Sequence, residues 1–231
     1  MDSDRYSIHF SPLQGYTDRI YRNAFAHYFG GVEVYYTPFI RVEKGALRKR
    51  DLRDIEPETN TVADLIPQIL PGSADEFRLL TDAVGGEGYR QSDINLGCPF
   101  PMIAGKHKGA GMLLYPAQVA EVLAPIAEYP EIQFSLKMRL GWENASECMV
   151  LVELLNTLRL SRIALHARTG KQQYKGHPDL EAFQGFYELC QHPLYYNGGI
   201  ESVGYPTNSD SVSPAEGRFY RSWIVVFAFA G

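Results

Sequence analysis

The chain has 231 residues, of which 45% are hydrophobic and 21% are charged, a composition that excludes an intrinsically disordered protein. Its formal net charge of −5 argues against bulk electrostatic attraction to nucleic acid or to an anionic membrane surface. No apolar run approaches the ~20 residues of a membrane-spanning helix, and the polar N-terminal segment lacks a signal-peptide pattern. Because the three cysteines are scattered, we expect a reduced, cytoplasmic protein with neither a disulfide framework nor a metal site.

Short β-type runs alternate with longer amphipathic stretches, which is typical of repeated βα units around a parallel sheet. The predicted strands are Ser7 to Phe10, Glu33 to Thr37, Leu65 to Leu70, Ser92 to Leu96, Gln133 to Met138, Arg162 to His166 and Leu194 to Asn197. The predicted helices are Asp18 to Phe29, Ala74 to Val84, Pro116 to Glu128, Ala145 to Leu158 and Pro178 to Cys190. The connection over 39–63 is long and polar, so we expect it to carry function or a partner surface.

Two architectures suit this alternation, an open doubly wound sheet and a closed (β/α)₈ TIM-type barrel. The first strand is followed by Ser11-Pro-Leu-Gln-Gly15 rather than by the glycine pattern of a dinucleotide-binding sheet. Polar or reactive residues end almost every strand, namely Gln14, Thr37, Gln68, Asn95 with Cys98, Lys137 with Arg139, His166 with Arg168, and Asn197. Because a barrel gathers all its strand ends into one mouth, we predict a barrel domain over residues 1–200.

The last stretch of the chain departs from this pattern. Residues 201–222 are rich in Ser, Pro, Gly and Asn and lack helical periodicity where the next crossover helix is due. We therefore expect a barrel that is incomplete at its last βα unit, followed by an atypical tail over 201–231. Residues 223–230 are a candidate eighth strand within that tail.

Cys98 is the most informative candidate for catalysis. It follows a predicted strand within Asp93-Ile-Asn-Leu-Gly-Cys-Pro99, where the glycine and proline leave the backbone accessible. A cysteine is more often a small apolar residue that caps the core, but here it could be a nucleophile or a proton donor. A thiol near its usual pKa of about 8.5 is suited to general-acid work.

Cationic and glycine-rich segments supply candidate binding groups. Lys137 and Arg139 lie on one side of a strand that leads to the mouth, and a bound anion or electron-rich ring explains them better than solvated cations do. His166 and the residues up to Gly176 offer donors for a phosphate or polyol, and Asn197-Gly-Gly199 offers bare backbone for close approach. The basic loop Lys106 to Gly111 could cover a ligand or be a solvated turn.

Taken in order, these motifs resemble those of the tRNA-dihydrouridine synthases over about residues 8–200. The matching segments are Ser11-Pro-Leu-Gln-Gly-Tyr-Thr-Asp18, Gln68, Asp93-Ile-Asn-Leu-Gly-Cys-Pro99, Lys108-Gly-Ala-Gly-Met-Leu-Leu114, Lys137-Met-Arg-Leu-Gly141, His166-Ala-Arg-Thr169 and Asn197-Gly-Gly-Ile200. The resemblance implies an FMN-dependent (β/α)₈ barrel followed by a helical domain, an enzyme that reduces the C5=C6 bond of uridine in tRNA with NADPH.

The resemblance also implies residue roles. Pro12 and Leu13 would lie against the flavin ring, while Gln68, Lys137 and His166 would bind FMN, with Asn197, Gly198 and Gly199 on its ribityl and phosphate side. Asn95 and Arg168 would bind the extruded uracil, and Cys98 would protonate C5. The family's later Gly-Arg-Gly phosphate grip and helical domain are not recognisable after Ile200. Two alternatives therefore stay open: an FMN-dependent reductase of a small pyrimidine, and an inactive truncated remnant that at most binds tRNA.

A basic cluster in the 39–63 connection is a candidate RNA surface. It comprises Arg41, Lys44, Arg48, Lys49, Arg50 and Arg53. Three acids, Glu43, Asp51 and Asp54, reduce the net positive charge of this segment. A solvated loop is therefore about as good an interpretation as an RNA surface. If tRNA binds, this cluster and Lys106, Lys108, Lys171 and Lys175 offer phosphate contacts.

Overall fold

The computed structural model describes residues 7–199 and the backbone of residues 222–225. Within them, eight strand positions run parallel to one another. They are β1 (Ser7–Phe10), β2 (Val34–Tyr36), β3 in two pieces (Leu65–Ile66 and Gln68–Ile69), β4 (Gln91–Leu96), β5 (Gln133–Gly141), β6 (Leu160–Thr169), β7 (Leu194–Asn197) and β8 (Ser222–Val225). This arrangement confirms the predicted TIM-type architecture over an open doubly wound sheet.

Pairing passes from each strand to the next around a ring. Pro67, which has no N–H to donate, divides β3, so its first piece pairs with β2 and its second with β4. Strand β8 pairs in parallel with both β1 and β7. It overlaps the candidate strand 223–230, of which residues 226–230 lie outside the described part of the chain, as does the connection 200–221 where the incomplete βα unit is expected.

Seven α-helices lie in the described chain, and most of them connect successive strands. They are α1 (Arg19–Tyr28), α2 (Lys49–Arg53), α3 (Ala74–Gly86), α4 (Pro101–Ala104), α5 (Pro116–Leu123), α6 (Glu147–Thr157) and α7 (Leu180–Leu189). The predicted helix Pro116 to Glu128 is α5 followed by a tighter 3₁₀ segment, Ala124–Glu128. Pro125 explains the change, because it cannot donate the backbone hydrogen bond that an α-helix needs there. No helix in the described ranges has both the length and the apolar character needed to cross a membrane.

Alternation along the strands separates an apolar outer layer from a polar barrel interior. On β4, Ile94 and Leu96 are fully buried in the main hydrophobic core, whereas Asp93 and Asn95 on the other side join a hydrogen-bonded network. The same alternation on β5 puts Leu136 and Met138 in that core and sends Ser135, Lys137 and Arg139 to the opposite side. The polar faces of β4 and β5 therefore point into the barrel interior.

The long connection after β2 is an ordered excursion held against α1. It contains a hairpin (Val42–Glu43 with Ala46–Leu47), α2 and a 3₁₀ turn (Pro57–Thr59). Arg22 of α1 is fully buried and donates to the Asp54 carboxylate and carbonyl at 2.9 Å each and to Asn60 Oδ1 at 2.8 Å. A buried guanidinium with this many acceptors fixes the excursion beside the start of α1.

Candidate active site

Most of the sequence-predicted site residues lie near or just beyond the carboxyl ends of barrel strands, and Lys137 lies midway along β5. Pro12 and Leu13 follow β1, Gln68 begins the second piece of β3, and Cys98 follows β4. The strand register then pairs Asn95 with Lys137, Arg139 with His166, and His166 with Asn197. The fold thus collects side chains that are up to about 190 residues apart in sequence around one mouth.

Asn95 fixes the turn that carries Cys98. Its Oδ1 accepts hydrogen bonds from the backbone N–H groups of Gly97 (3.0 Å) and Cys98 (2.8 Å). Because a backbone N–H can only donate, this oxygen must point at the turn and the Asn95 Nδ2 group must point away. That Nδ2 donates to Gln68 Oε1 at 2.7 Å.

The same reasoning about donors and acceptors identifies the hydrogen-bond partners of Asp93. Since Gln68 Oε1 accepts from Asn95, its Nε2 is left to donate, and it does so to Asp93 Oδ2 at 2.7 Å. Ser135 Oγ donates to the other carboxylate oxygen at 2.6 Å. Burial raises the pKa of Asp93, and these two hydrogen bonds oppose that rise. A buried Asp93–Gln68–Asn95 relay therefore orients the turn before Cys98, and sequence motifs alone assigned no role to Asp93 or Ser135.

We expect Asp93→Ala to lower the free energy of unfolding by about 2–4 kcal/mol, because Gln68 Nε2 and Ser135 Oγ would both lose a charged partner. Urea unfolding measures this change. Ser92→Ala is the matched control, since buried Ser92 Oγ makes one neutral hydrogen bond, to the Pro67 carbonyl at 3.2 Å, worth about 1 kcal/mol. Equal losses in the two variants would contradict the relay.

The Cys98 thiol is half-buried and held from a second side by the following loop. Ala110 N–H donates to the Cys98 carbonyl at 3.0 Å. Gly109 has φ +56°, and a Cβ there would lie 2.8 Å from that carbonyl oxygen, so only glycine lets the loop approach. Burial raises the pKa of the Cys98 thiol, with smaller opposing contributions from Lys137, Arg139 and Arg41 among others. Cys98 is therefore a protonated thiol at neutral pH, suited to giving up a proton rather than to nucleophilic attack.

Lys137 is a half-buried cation whose charge interacts with the Asp93 carboxylate, which opposes the lowering of the lysine pKa by burial. No hydrogen bond or ion pair involves its ammonium group among residues 7–199. Burial, together with the nearby Arg139, lowers the pKa of Lys137 to about 8. A half-buried ammonium left in this state is stabilised by an anionic or electron-rich ligand.

His166 is neutral and faces the backbone after β7. Burial and the cations Arg139, Lys137 and Arg168 lower its pKa well below the usual value. Arg168 Nη1 lies 3.2 Å from His166 Nε2, and because arginine can only donate, the imidazole proton is on Nδ1. A Cβ at Gly198 (φ +108°) would lie 2.6 Å from the His166 ring, so glycine is needed here for the backbone to pass the imidazole.

Arg139 forms hydrogen bonds to two loops at the mouth. Its position in the sequence, two residues after Lys137, did not predict this role. Its Nε donates to the Gly97 carbonyl at 3.0 Å, and its Nη1 donates to the carbonyls of Thr169 and Gln173 at 2.9 and 2.7 Å. The guanidinium also lies 5.4 Å from the centre of the Tyr174 ring. Arg139 thus joins the Cys98 turn to the loop after β6 rather than remaining free for an anion.

Two of the rim lysines proposed for phosphate contact have acidic partners. Lys108 pairs with Glu76 of α3 and closes the Gly-rich loop onto the barrel. Lys171 pairs with Glu143 at 2.6 Å. Among the described residues, no group of three His, Cys, Asp or Glu side chains is placed to hold a metal ion.

Residues 9–209 match the family model described as Dihydrouridine synthase (Dus). The chain belongs to the dihydrouridine synthase family. The match includes all the predicted site residues and extends past Ile200, where the motif resemblance ended. The Dus barrel therefore places its motif residues around one mouth, as the register above describes.

Curated Dus relatives are similar at modest identity. The chain is 27% identical over 229 residues to tRNA-dihydrouridine synthase B of Vibrio parahaemolyticus, covering 93% of this chain and 68% of that protein. It is 24% identical over 234 residues to the Pasteurella multocida protein of that name, covering 94% and 67%. A probable tRNA-dihydrouridine synthase of Rhizobium leguminosarum is 30% identical over 112 residues, covering 48% and 35%.

Among solved structures, the Dus chain is similar in fold to a variant of NCR from Zymomonas mobilis, with TM-score 0.54 and 12% identity over 85% of this chain and 78% of that one. A GH18 chitinase from Pseudoalteromonas aurantia has TM-score 0.50 and 10% identity over 83% and 79%. At these identities the likeness concerns the fold alone.

Proposed function

We propose that this protein is a cytoplasmic tRNA-dihydrouridine synthase that reduces the C5=C6 bond of uridine in tRNA, with FMN as its cofactor and NADPH as the reductant. One observation carries the proposal. A protonated Cys98 thiol shares a barrel mouth with Lys137, whose ammonium group makes no hydrogen bond or ion pair among the described residues, in a chain of the dihydrouridine synthase family. Membership of that family makes uridine the expected acceptor.

The mouth suits FMN in charge and shape. Lys137 supplies a positive charge for the electron-rich edge of the ring system, and neutral His166 supplies a donor at Nδ1. Ser11 Oγ, just after β1, is buried without a hydrogen-bond partner among the described residues, which suits a ligand beside Pro12 and Leu13. When bound, FMN would supply hydride to C6 of the uracil ring.

Further FMN contacts are proposed for Gln68 and for the segment after β7. Gln68 uses one amide hydrogen in the relay and keeps the second for a ligand. Asn197 ends β7 and Gly198 and Gly199 follow it, where the glycines would leave backbone open to the ribityl chain and phosphate.

The uracil would be held on the Cys98 side. Asn95 keeps one amide hydrogen after donating to Gln68, and Arg168 is anchored by the Gly176 carbonyl at 3.0 and 3.2 Å with its plane fixed. A uridine stacked in folded RNA cannot reach this mouth, so the base has to be extruded into it. Cys98 would then donate its proton to C5, because burial keeps the thiol protonated.

A flavin absorbance spectrum of the purified protein, with and without NADPH, followed by dihydrouridine analysis of incubated tRNA, tests this function. We expect a yellow protein that NADPH bleaches and that converts uridine in transcribed tRNA. Equal turnover of free uridine would indicate a small-pyrimidine reductase instead. A colourless protein that takes up no added FMN would contradict catalysis and favour an inactive remnant.

A further inference from the structure

A cavity of about 350 Å³ lies between the turn after β1 and the excursion, beside the barrel mouth. Phe39 lines it and also packs in a small cluster with Leu70, Ile103 and Cys98. Arg41 lines it too, and its charge partly opposes the rise that burial causes in the pKa of Cys98. The cavity therefore lies at the edge of the mouth, beside the ends of β1 and β2, and adjoins the reacting centre.

The lining carries more positive than negative charge. It includes five arginines and three aspartates: Arg19, Arg41, Arg48, Arg50, Arg53, Asp18, Asp51 and Asp54. Internal contacts engage all three acids, although Asp51 Oδ2 is buried without a hydrogen-bond partner in the described part of the chain. Asp54 accepts from Arg22 and from the Arg19 N–H, Asp18 caps α1, and Asp51 accepts from the Arg41 N–H and lies 3.7 Å from Arg48.

Three of the arginines make no close ion pair among the described residues, although the charges of Arg41 and Arg50 interact with Asp51. Arg48 pairs with Glu43 at 3.0 Å and Arg19 lies 3.8 Å from Glu56. By contrast, no ion pair involves Arg41, Arg50 or Arg53 within residues 7–199. Asp54 and Glu43 are thus paired with Arg22 and Arg48, and Arg41, Arg50 and Arg53 line a ligand-sized space.

Gln14 adds an independent signal for a ligand. It lines the same cavity, and its Oε1 is buried with no hydrogen-bond partner in the described part of the chain. A buried amide oxygen without a donor is unfavourable, and rotation of the Gln14 side chain towards the cavity would let a sugar hydroxyl satisfy it. Guanidinium groups that suit phosphate beside an acceptor that suits a hydroxyl match the repeating unit of an RNA backbone.

We propose that this cavity binds the sugar-phosphate backbone of the RNA next to the uridine presented to Cys98. Two phosphates would contact Arg50 and Arg53, and a ribose 2′-hydroxyl would donate to Gln14 Oε1. This inference rests on the proposed function, because it needs an RNA substrate. It explains how a chain with net charge −5 can hold a polyanion, since the positive charge is local.

The test compares two double variants by binding and turnover of transcribed tRNA. We expect Arg50→Gln with Arg53→Gln to raise the Kd and KM for tRNA by roughly 10- to 100-fold and to reduce the slope of log K against log salt by about two. Flavin uptake and the KM for NADPH should not change. Arg90→Gln with Arg159→Gln is the control, because it removes equal charge at exposed residues beside the opposite ends of β4 and β6.

The outcomes separate this inference from the proposed function. A wild-type protein that neither binds nor modifies tRNA would refute the function itself. A wild-type protein that modifies tRNA, with equal behaviour of the two double variants, would overturn the cavity alone. A raised KM for NADPH instead of tRNA would also overturn it, because the arginines would then hold the dinucleotide.

A second variant checks the contact to the sugar. Gln14→Met keeps the length of the side chain but removes the acceptor. We expect it to reduce the preference for a single-stranded RNA over the DNA of the same sequence by about tenfold. An unchanged preference would overturn the assignment of Gln14 to the 2′-hydroxyl.

Discussion

Replacing Cys98 with alanine is expected to leave flavin uptake unchanged and to lower the rate of uridine reduction by about 10²- to 10⁴-fold, the usual contribution of a general acid. The thiol is the group at this turn that burial keeps protonated at neutral pH. The backbone around it is fixed by Asn95 and by Ala110, neither of which needs the sulfur. The site should therefore keep its shape and lose its proton donor. Dihydrouridine formed per enzyme in tRNA measures the effect.

Two further cysteine variants sharpen the test. Cys98→Ser keeps a hydroxyl of similar size, but this is a much weaker acid, so the rate should stay low. Cys190→Ala is the matched control, because Cys190 is also half-buried and its thiol donates to the His192 carbonyl at 3.7 Å, before β7 begins and away from the mouth. Full turnover in Cys98→Ala would refute the proton-donor role.

Replacing Lys137 with methionine is expected to weaken flavin binding by roughly 10- to 100-fold, since a hydrogen bond from a charged donor contributes about 1.5–3 kcal/mol. The same change should not lower the free energy of unfolding of the flavin-free protein. The pKa of Lys137 is lowered to about 8, so its charge is unfavourable in the folded state and methionine removes that cost. Flavin titration and urea unfolding measure the two effects. A variant that simply unfolds would contradict this interpretation.

The pH dependence of flavin binding follows from the same residue. Only protonated Lys137 carries the charge, so wild-type affinity should fall as the pH rises through about 8, by at most about tenfold per pH unit. Lys137→Arg stays charged and should show a flat profile between pH 7 and 9. A wild-type profile as flat as that of the arginine variant would exclude Lys137 as the titrating group.

The free energy of unfolding should rise with pH over the range in which flavin affinity falls. The pKa of Lys137 is about 8 in the folded protein against 10.5 for a free lysine, so the unfolded chain binds more protons between these values. The contribution of Lys137 to the free energy of unfolding therefore rises with pH across this window. Lys137→Met lacks that contribution, and the comparison of the two urea curves isolates it.

Much of the fold and of the candidate site followed from local sequence pattern. The alternation of β-type runs with amphipathic stretches predicted the barrel, and polar residues at the strand ends predicted which side chains share its mouth. Both signals are local, because side-chain direction along a strand has a period of two and parallel strands end on one face. The motifs around Asn95, Cys98, Lys137 and His166 were sufficient to indicate the family.

The tertiary structure alone decided which donor meets which acceptor. Gln68 and Asp93 are 25 residues apart, and Arg139 and Gly97 are 42 apart, so the strand register determined their contacts. The same holds for the excursion, where Arg22, 32 residues from Asp54, removes an acid that appeared in the sequence to neutralise the basic cluster. Sequence pattern therefore determined which groups stand at the mouth. Packing of distant segments determined which of them are structural ties and which remain free for a ligand, because a charge is available only when no folded neighbour satisfies it.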